Sequence, residues 1–136
     1  MVLNFQTIIK IVKPNKYNKY DGIIVYVKTN LEYKVLDTEI DHTKFMNFII
    51  TYRGLDLYCT ALYRSPNNID IFEFFGGLGM FLEQTKHNSN RILVADTNIN
   101  ILEEHLTLSG HNYLDILSEH GFVDYLCGRT RVSPTC

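Results

Sequence analysis

Two apolar segments decide the fold: residues 55–63 read LDLYCTALY and residues 91–95 read RILVA. Both are short and apolar, and each runs into polar turn residues, which is typical of strands. The second, Arg91–Ala95, is predicted to be a buried strand. Between them, residues 70–86 carry a helical pattern that opens with Asp70 three residues before Glu73, a capping signal. A strand, a helix and another strand in this order predict an α/β (or α+β) layered architecture.

The first half of the chain is dominated by strand-like segments. Four of them precede Leu55, namely Thr7–Val12, Gly22–Lys28, Tyr33–Leu36 and Phe45–Tyr52. Pro14 is predicted to end the first, because proline has no N–H group to donate to a ladder. The Arg53-Gly54 pair predicts a tight hairpin, which would make the strands on either side of it antiparallel neighbours.

The first predicted helix has an apolar face and an unusual run of glycines. The face is formed by Phe72, Phe75, Leu78 (or Gly79) and Leu82. The glycines at positions 76, 77 and 79 each cost a helix about 1 kcal/mol relative to alanine. A phosphate-binding loop is the alternative interpretation of this run, but that motif requires a preceding strand and a fuller glycine pattern.

A second helix and a last strand are predicted towards the carboxyl end. The helix is defined by Asn112 and Asp115 at its start, Ile116 and Leu117 on its inner face, and His120 and Gly121 at its end. Glycine in this place favours a left-handed helix stop. Phe122–Cys127 is then predicted to be a strand, and Thr130–Cys136 a loop.

Composition excludes several classes of protein. At 136 residues the chain has the size of one domain, and it has neither an apolar run of membrane-spanning length nor a secretory signal at its start. Its three cysteines form no Cys-x-x-Cys pair, which argues against a zinc site or a disulfide framework and favours a reducing, intracellular compartment. The net charge of −2 hides six lysines among residues 1–34. These lysines belong either to a solvated surface or to a contact with phosphates.

Polar side chains follow two of the predicted strands directly. Asp96 and Asn98 come after the 91–95 strand, at the strand end where open α/β sheets bind ligands. A carboxylate there can orient or deprotonate a water, whereas the alternative is a turn with local hydrogen bonds. Tyr63 and Arg64 end the preceding strand. The guanidinium suits bidentate phosphate contact, but a tyrosine at a sheet rim is equally ordinary as packing.

Other catalytic patterns are missing from the sequence. None of the five histidines has a metal-binding spacing, and no Gly-x-Ser-x-Gly elbow offers a serine nucleophile. The residues alone therefore leave any metal ligand unknown.

The order of the segments resembles the endonuclease/exonuclease/phosphatase family, and specifically the endonuclease domain of non-LTR (LINE-like) retrotransposon proteins. The resemblance rests on the strand Gly22–Lys28, the strand end Leu62-Tyr63-Arg64-Ser65-Pro66, the segment Ile92–Leu102 around Asp96-Thr97-Asn98, and then Gly121-Phe122 and Thr130-Arg131. It covers nearly the whole chain, from about residue 20 to Cys136. It implies part of a four-layer sandwich of two mixed β-sheets flanked by helices, with residues 1–136 as a single, incomplete domain.

The resemblance implies metal-dependent phosphodiester hydrolysis in DNA, normally with Mg²⁺ and without a small-molecule cofactor or a membrane partner. Asp96 is similar to the family aspartate that activates the attacking water, and Asn98 to the asparagine that positions it and the scissile phosphate. Tyr63 is similar to the tyrosine that contacts the phosphate. Asn67 resembles an asparagine that follows the proline, with a possible one-residue shift in spacing. It is assigned, with Arg64, to substrate binding.

The chain departs from the family pattern in several places. Ala95 replaces the glycine before the aspartate, and Thr97 replaces a phenylalanine. The metal-binding glutamate and the closing aspartate–histidine pair of the family match no position, so we expect a domain cut at both ends and a weak or inactive enzyme. The alternatives are a non-catalytic remnant that binds nucleic acid weakly and, less favoured, a phosphatase or phosphodiesterase branch of the same superfamily. A functional endonuclease of this kind would be nuclear.

Overall fold

The computed structural model describes residues 8–14, 22–36, 44–65, 70–102 and 106–125, and for residues 8–14, 22 and 44 only the backbone. The elements in order are β1 (Ile8–Pro14), β2 (Gly22–Lys28), β3 (Glu32–Leu36), β4 (Lys44–Tyr52), β5 (Leu55–Tyr63), α1 (Ile71–Gln84), β6 (Arg91–Asp96) and α2 (Leu108–Glu119). The chain divides into two compact units. The strand unit (residues 1–69 and 87–97) contains the six described strands, and the helix unit (residues 70–86 and 98–136) contains the two described helices.

The strand unit contains two sheets. β1 and β2 form an antiparallel pair, and the larger sheet has the order β3-β4-β5-β6. Its pairings are antiparallel except the last, since β5 and β6 run parallel. This mixed sheet, together with two helices, confirms the predicted α/β class. The four-layer sandwich with flanking helices stays a prediction.

The predicted strands of the first half agree with the observed ones to within two residues. β1 continues through Pro14, which is its last residue and lies opposite Gly22. A proline fits there because a strand end tolerates a missing donor.

A cluster of apolar side chains joins the two sheets of the strand unit. Ile23 of β2 packs with Met46 and Phe48 of β4, and half-buried side chains surround them. These neighbours are Val25, Ile50, Cys59, Ala61 and Tyr63. Because successive residues of a strand face opposite sides, the even-numbered residues of β4 and the odd-numbered residues of β5 share this face. We call these eight residues the central cluster.

The hairpin between β4 and β5 has the predicted geometry. Arg53 has φ 51° and Gly54 has φ 78°. Two consecutive positive φ angles define the type I′ turn, whose twist matches that of two antiparallel strands. The Arg53 guanidinium lies over the Tyr52 ring, 5.1 Å from its centroid. The turn sets the register of both strands, from Tyr52 opposite Leu55 to Lys44 opposite Tyr63.

In the helix unit, α1 confirms the helical interpretation of the glycine-rich run. Asp70 caps it, since its side chain accepts a hydrogen bond from the Phe72 N–H at 2.7 Å. The buried face consists of Phe74, Phe75, Leu78, Phe81 and Leu82. Phe72 was wrongly predicted to belong to it, because Phe72 is 73% exposed. The spacing of the buried residues centres the buried face on Leu78, and Phe72 lies on a different side of the helix.

α2 begins earlier than predicted, at Leu108 rather than Asn112. Thr107 is the cap, because its hydroxyl accepts a hydrogen bond from the Gly110 N–H at 3.1 Å. The predicted end is confirmed, since Gly121 has φ 77° and the Phe122 N–H bonds back to the Leu117 carbonyl at 2.9 Å. Leu117 is buried, as predicted, and Ile116 is half-buried.

Two other expectations are wrong. The last strand of the larger sheet, β6, is mostly exposed rather than buried: Val94 is 66% exposed. Among the described strands β6 pairs with β5 alone. Residues 122–125 lie in no strand, and Val123 is 91% exposed. The rest of the predicted strand Phe122–Cys127, and the loop Thr130–Cys136, lie outside the described residues.

Tyr113 gives the helix unit a testable alkaline transition. Its ring stacks on Phe74 at 6.5 Å between centroids, and burial, aided by the charge of Asp124, raises the pKa of Tyr113 to about 12. The folded state therefore favours the neutral phenol, and this contribution is complete below pH 10 and is lost as the pH rises towards 12. We expect the free energy of unfolding of Tyr113→Phe to equal that of the unmodified protein at pH 8. At pH 11 it should exceed that of the unmodified protein by about 1 kcal/mol. Urea unfolding at both pH values measures the difference, and equal losses in the two proteins would contradict it.

Two glycines of the helix unit should respond oppositely to the same substitution. A Cβ at Gly76 of α1 meets open space, whereas one at Gly110 of α2 would overlap the carbonyl oxygen of Asn100 and the Leu106 side chain. We expect Gly76→Ala to raise the free energy of unfolding by about 0.5–1 kcal/mol, because alanine is the better helix former. Gly110→Ala should lower it by about 1–3 kcal/mol through the steric overlap. Thermal unfolding tests both, and a stabilising Gly110→Ala would show that the contact is not tight.

Candidate functional site

The sheet places Tyr63 and Asp96 side by side. They are the last residues of β5 and β6, and they are register partners in the parallel ladder. Partners in a parallel pair face the same side of the sheet, with strands about 4.8 Å apart. Tyr63 packs against the central cluster, so both residues belong to that face, at its rim. Asp96 is exposed and Tyr63 is half-buried, which leaves a carboxylate and a phenol together at an accessible edge.

Arg64 holds the chain that follows Asp96. Its backbone N–H donates to the Asp96 carbonyl at 2.9 Å, and its Nη1 donates to the Thr97 carbonyl at 3.1 Å. Both Arg64 and Thr97 are 7% exposed. The arginine predicted to bind phosphate is thus buried, with one nitrogen engaged by the backbone at the end of β6. Its assignment to phosphate stays a prediction.

The other two predicted site residues lie outside the described residues of the strand unit. Asn98 begins the helix unit; it is exposed and has φ 53°, a left-handed conformation that asparagine tolerates better than most residues. Its catalytic role stays a prediction. Asn67 lies outside the described residues.

Among the described residues of the strand unit, Asp96 is the one carboxylate at this rim. Its other described carboxylates, Glu32 and Asp56, lie near Thr51 at the opposite end of the sheet, and Asp56 precedes Tyr63 by seven positions, about 23 Å of strand. No group of three His, Cys, Asp or Glu residues among the described positions could hold a metal ion. Mg²⁺ is usually held by one or two carboxylates together with water and substrate phosphate. Asp96 supplies one such carboxylate, and the described strand unit offers no second one beside it, so the described residues do not complete a Mg²⁺ site by themselves.

Within the described residues of the strand unit, the one histidine, His87, and the one cysteine, Cys59, show no feature of a reactive site. His87 and His111 are exposed, and the His120 ring bonds through Nδ1 to the Ile116 carbonyl at 2.8 Å at the end of α2. His42 and His105 lie outside the described residues. Burial raises the pKa of the Cys59 thiol, which disfavours the reactive thiolate.

The sequence reasoning missed Thr97 and the position of Lys44. Thr97 was treated only as a departure from the family pattern, whereas its carbonyl accepts a hydrogen bond from the Arg64 guanidinium. No pattern in the sequence signals that bond, because it joins two strand ends separated by a helix. Lys44 is the register partner of Tyr63, and counting back from the Arg53-Gly54 turn would have found it.

Neither helix of the described part of the chain is long and apolar enough to cross a membrane. In comparisons with protein-family models, curated proteins and solved structures, nothing matches this chain. The family resemblance therefore rests on the residues themselves.

Packing and hydroxyl chemistry of Tyr63 can be separated. The ring belongs to the central cluster, so Tyr63→Ala should lower the free energy of unfolding by about 2–3 kcal/mol through the lost burial. Tyr63→Phe keeps the ring and should lose at most about 1 kcal/mol. Tyr58→Phe, at the other tyrosine of β5, is the matched control. Urea unfolding measures all three, and an equal loss in Tyr63→Phe and Tyr63→Ala would mean that the hydroxyl, rather than the ring, stabilises the rim.

Proposed function

We propose that this chain is an endonuclease domain of the retrotransposon type, which hydrolyses a phosphodiester of DNA at the rim formed by Tyr63 and Asp96. The observation that supports it best is the register pairing of these two residues at the carboxyl ends of two parallel strands. A phenol and a carboxylate at adjacent strand ends can contact the same phosphate and its attacking water. A nuclear location would follow from DNA as the substrate.

Each side chain has a distinct part in the proposed reaction. The Tyr63 hydroxyl donates a hydrogen bond to a non-bridging phosphate oxygen and so stabilises the charge that grows there. The Asp96 carboxylate accepts a hydrogen bond from the attacking water and takes up its proton. The water oxygen then bonds to phosphorus as the bond from phosphorus to the leaving sugar oxygen breaks, and solvent water protonates that oxygen. The exposure of Asp96 and the half-burial of Tyr63 suit these parts, since the first must meet water and the second must stay in place.

The side chains described at the rim support only slow hydrolysis of DNA. The family resemblance implies Mg²⁺, and the described residues do not fit such a site by themselves, so no step is assigned to the metal. Members of a catalytic set act together, and the loss of one commonly costs several powers of ten in rate. We therefore expect weak hydrolysis. The second candidate, a non-catalytic module that binds nucleic acid weakly, is favoured by the single carboxylate at the rim.

Replacing Asp96 should separate binding from hydrolysis. A carboxylate beside a phosphate repels it, so Asp96→Asn should bind a DNA duplex more tightly while its nicking rate falls about a hundredfold or more. Glu32→Gln is the matched control, because Glu32 is an exposed carboxylate at the opposite end of the same sheet. Nicking of supercoiled plasmid with Mg²⁺ gives the rate, and fluorescence anisotropy with a labelled duplex gives the affinity.

The outcomes distinguish the two candidates. Nicking that Asp96→Asn abolishes and Glu32→Gln leaves unchanged would support the endonuclease. DNA binding without any nicking in the unmodified chain would favour the non-catalytic module. Nicking that survives Asp96→Asn would remove Asp96 from the reaction and with it this proposal.

A further inference from the structure

We infer that Arg64 is a positioning residue that clamps the end of β6 and so keeps Asp96 beside Tyr63, rather than a direct ligand of phosphate. The catalytic role of the Tyr63–Asp96 pair rests on the proposed function, whereas the clamp is inferred from hydrogen bonds and burial alone. It gives a role to Thr97, which the motif comparison treated only as a departure.

The clamp consists of two hydrogen bonds from one residue to two successive carbonyl groups. The backbone N–H of Arg64 holds the carbonyl of Asp96 at 2.9 Å, and its Nη1 holds the carbonyl of Thr97 at 3.1 Å. The first bond closes the last pair of the parallel ladder, Tyr63 opposite Asp96, and the second fixes the next peptide unit. The backbone is thus held at the carbonyl of Asp96 by the ladder and at the carbonyl of Thr97 by the guanidinium.

Edge position makes such a clamp necessary. Among the described strands β6 has a neighbour on one side alone, and Asp96 is its last residue. Strand ends on a sheet edge fray readily, whereas catalytic geometry tolerates errors of only about 0.5 Å. The two bonds from Arg64, which directly follows β5, supply the order that a second neighbouring strand would otherwise give.

The chemistry of the guanidinium suits this role. A buried charge is costly unless hydrogen bonds compensate for it, and the Thr97 carbonyl is one such acceptor. Arginine presents several donors in a planar fork, which a lysine lacks. With 7% of Arg64 exposed, its guanidinium would have to leave its buried place to bind a phosphate in solution.

Hydrogen exchange tests the clamp without reference to DNA. We expect Arg64→Gln to speed amide exchange about tenfold at residues 64, 96 and 97, and to leave the middle of β5 unchanged. Lys34→Gln controls for the loss of one positive charge at an exposed place on the same sheet. Phe48→Leu controls for general destabilisation, since it weakens the central cluster and should speed exchange throughout the strand unit. Unchanged exchange at residues 96 and 97 in Arg64→Gln would overturn the inference, as would acceleration no more local than that in Phe48→Leu.

A second measurement uses the unmodified protein, so it does not depend on a variant that folds. The ¹⁵N resonances of the Arg64 guanidinium are followed while a short DNA duplex is added. A clamp predicts that they stay in place while those of exposed lysines shift, and that the salt dependence of DNA binding is equal in the unmodified protein and in Arg64→Gln. A phosphate ligand predicts a guanidinium shift and a salt slope lower by about one in the variant, which would overturn the inference.

Failure of the proposed function looks different from failure of the clamp. If the duplex does not bind at all while exchange at residues 96 and 97 accelerates in Arg64→Gln, the clamp is supported and DNA as the substrate is excluded. If nicking occurs, Arg64→Gln should lower the rate at saturating DNA and leave the affinity unchanged. A rate that stays unchanged would overturn a positioning role.

Discussion

The parallel ladder between β5 and β6 is the constraint on which the candidate site depends. It joins two strands that the chain separates with a helix and two connections, and it runs from Tyr58 opposite Arg91 to Tyr63 opposite Asp96. Parallel strands end at the same edge, so residues that follow each strand in sequence meet in space. Without this pairing the phenol and the carboxylate would belong to unrelated parts of the chain.

The residues at this edge differ in burial, and their roles differ accordingly. Tyr63 is half-buried because its ring completes the central cluster, and this packing fixes where its hydroxyl lies. Arg64 is buried, and its backbone N–H and Nη1 donate to the backbone of the neighbouring strand end. Asp96 is exposed and has its backbone held by these neighbours. A reactive group on an ordered but open support is the arrangement that function at a sheet edge requires.

Local signals in the sequence predicted most of the elements. The Arg53-Gly54 turn, the cap at Asp70 and the stop at Gly121 depend on a few neighbouring residues, and the structure confirms all three. The errors have one kind of cause. Burial of Phe72 and of β6 depends on what packs against them, and the start of α2 depends on whether Thr107 or Asn112 captures the first free backbone donors. Periodicity shows that a face is apolar without showing which side is covered.

The sequence by itself determined the order of the strands and helices, the hairpin register and the presence of polar residues at two strand ends, because turn chemistry and side-chain alternation act over a few residues. The tertiary structure alone decided that Tyr63 and Asp96 are partners, and that Arg64 turns to the Thr97 carbonyl. Those contacts join positions more than thirty residues apart, such as Arg64 and Thr97. They exist because two strands share an edge, and a shared edge is a property of the folded sheet that no local pattern contains.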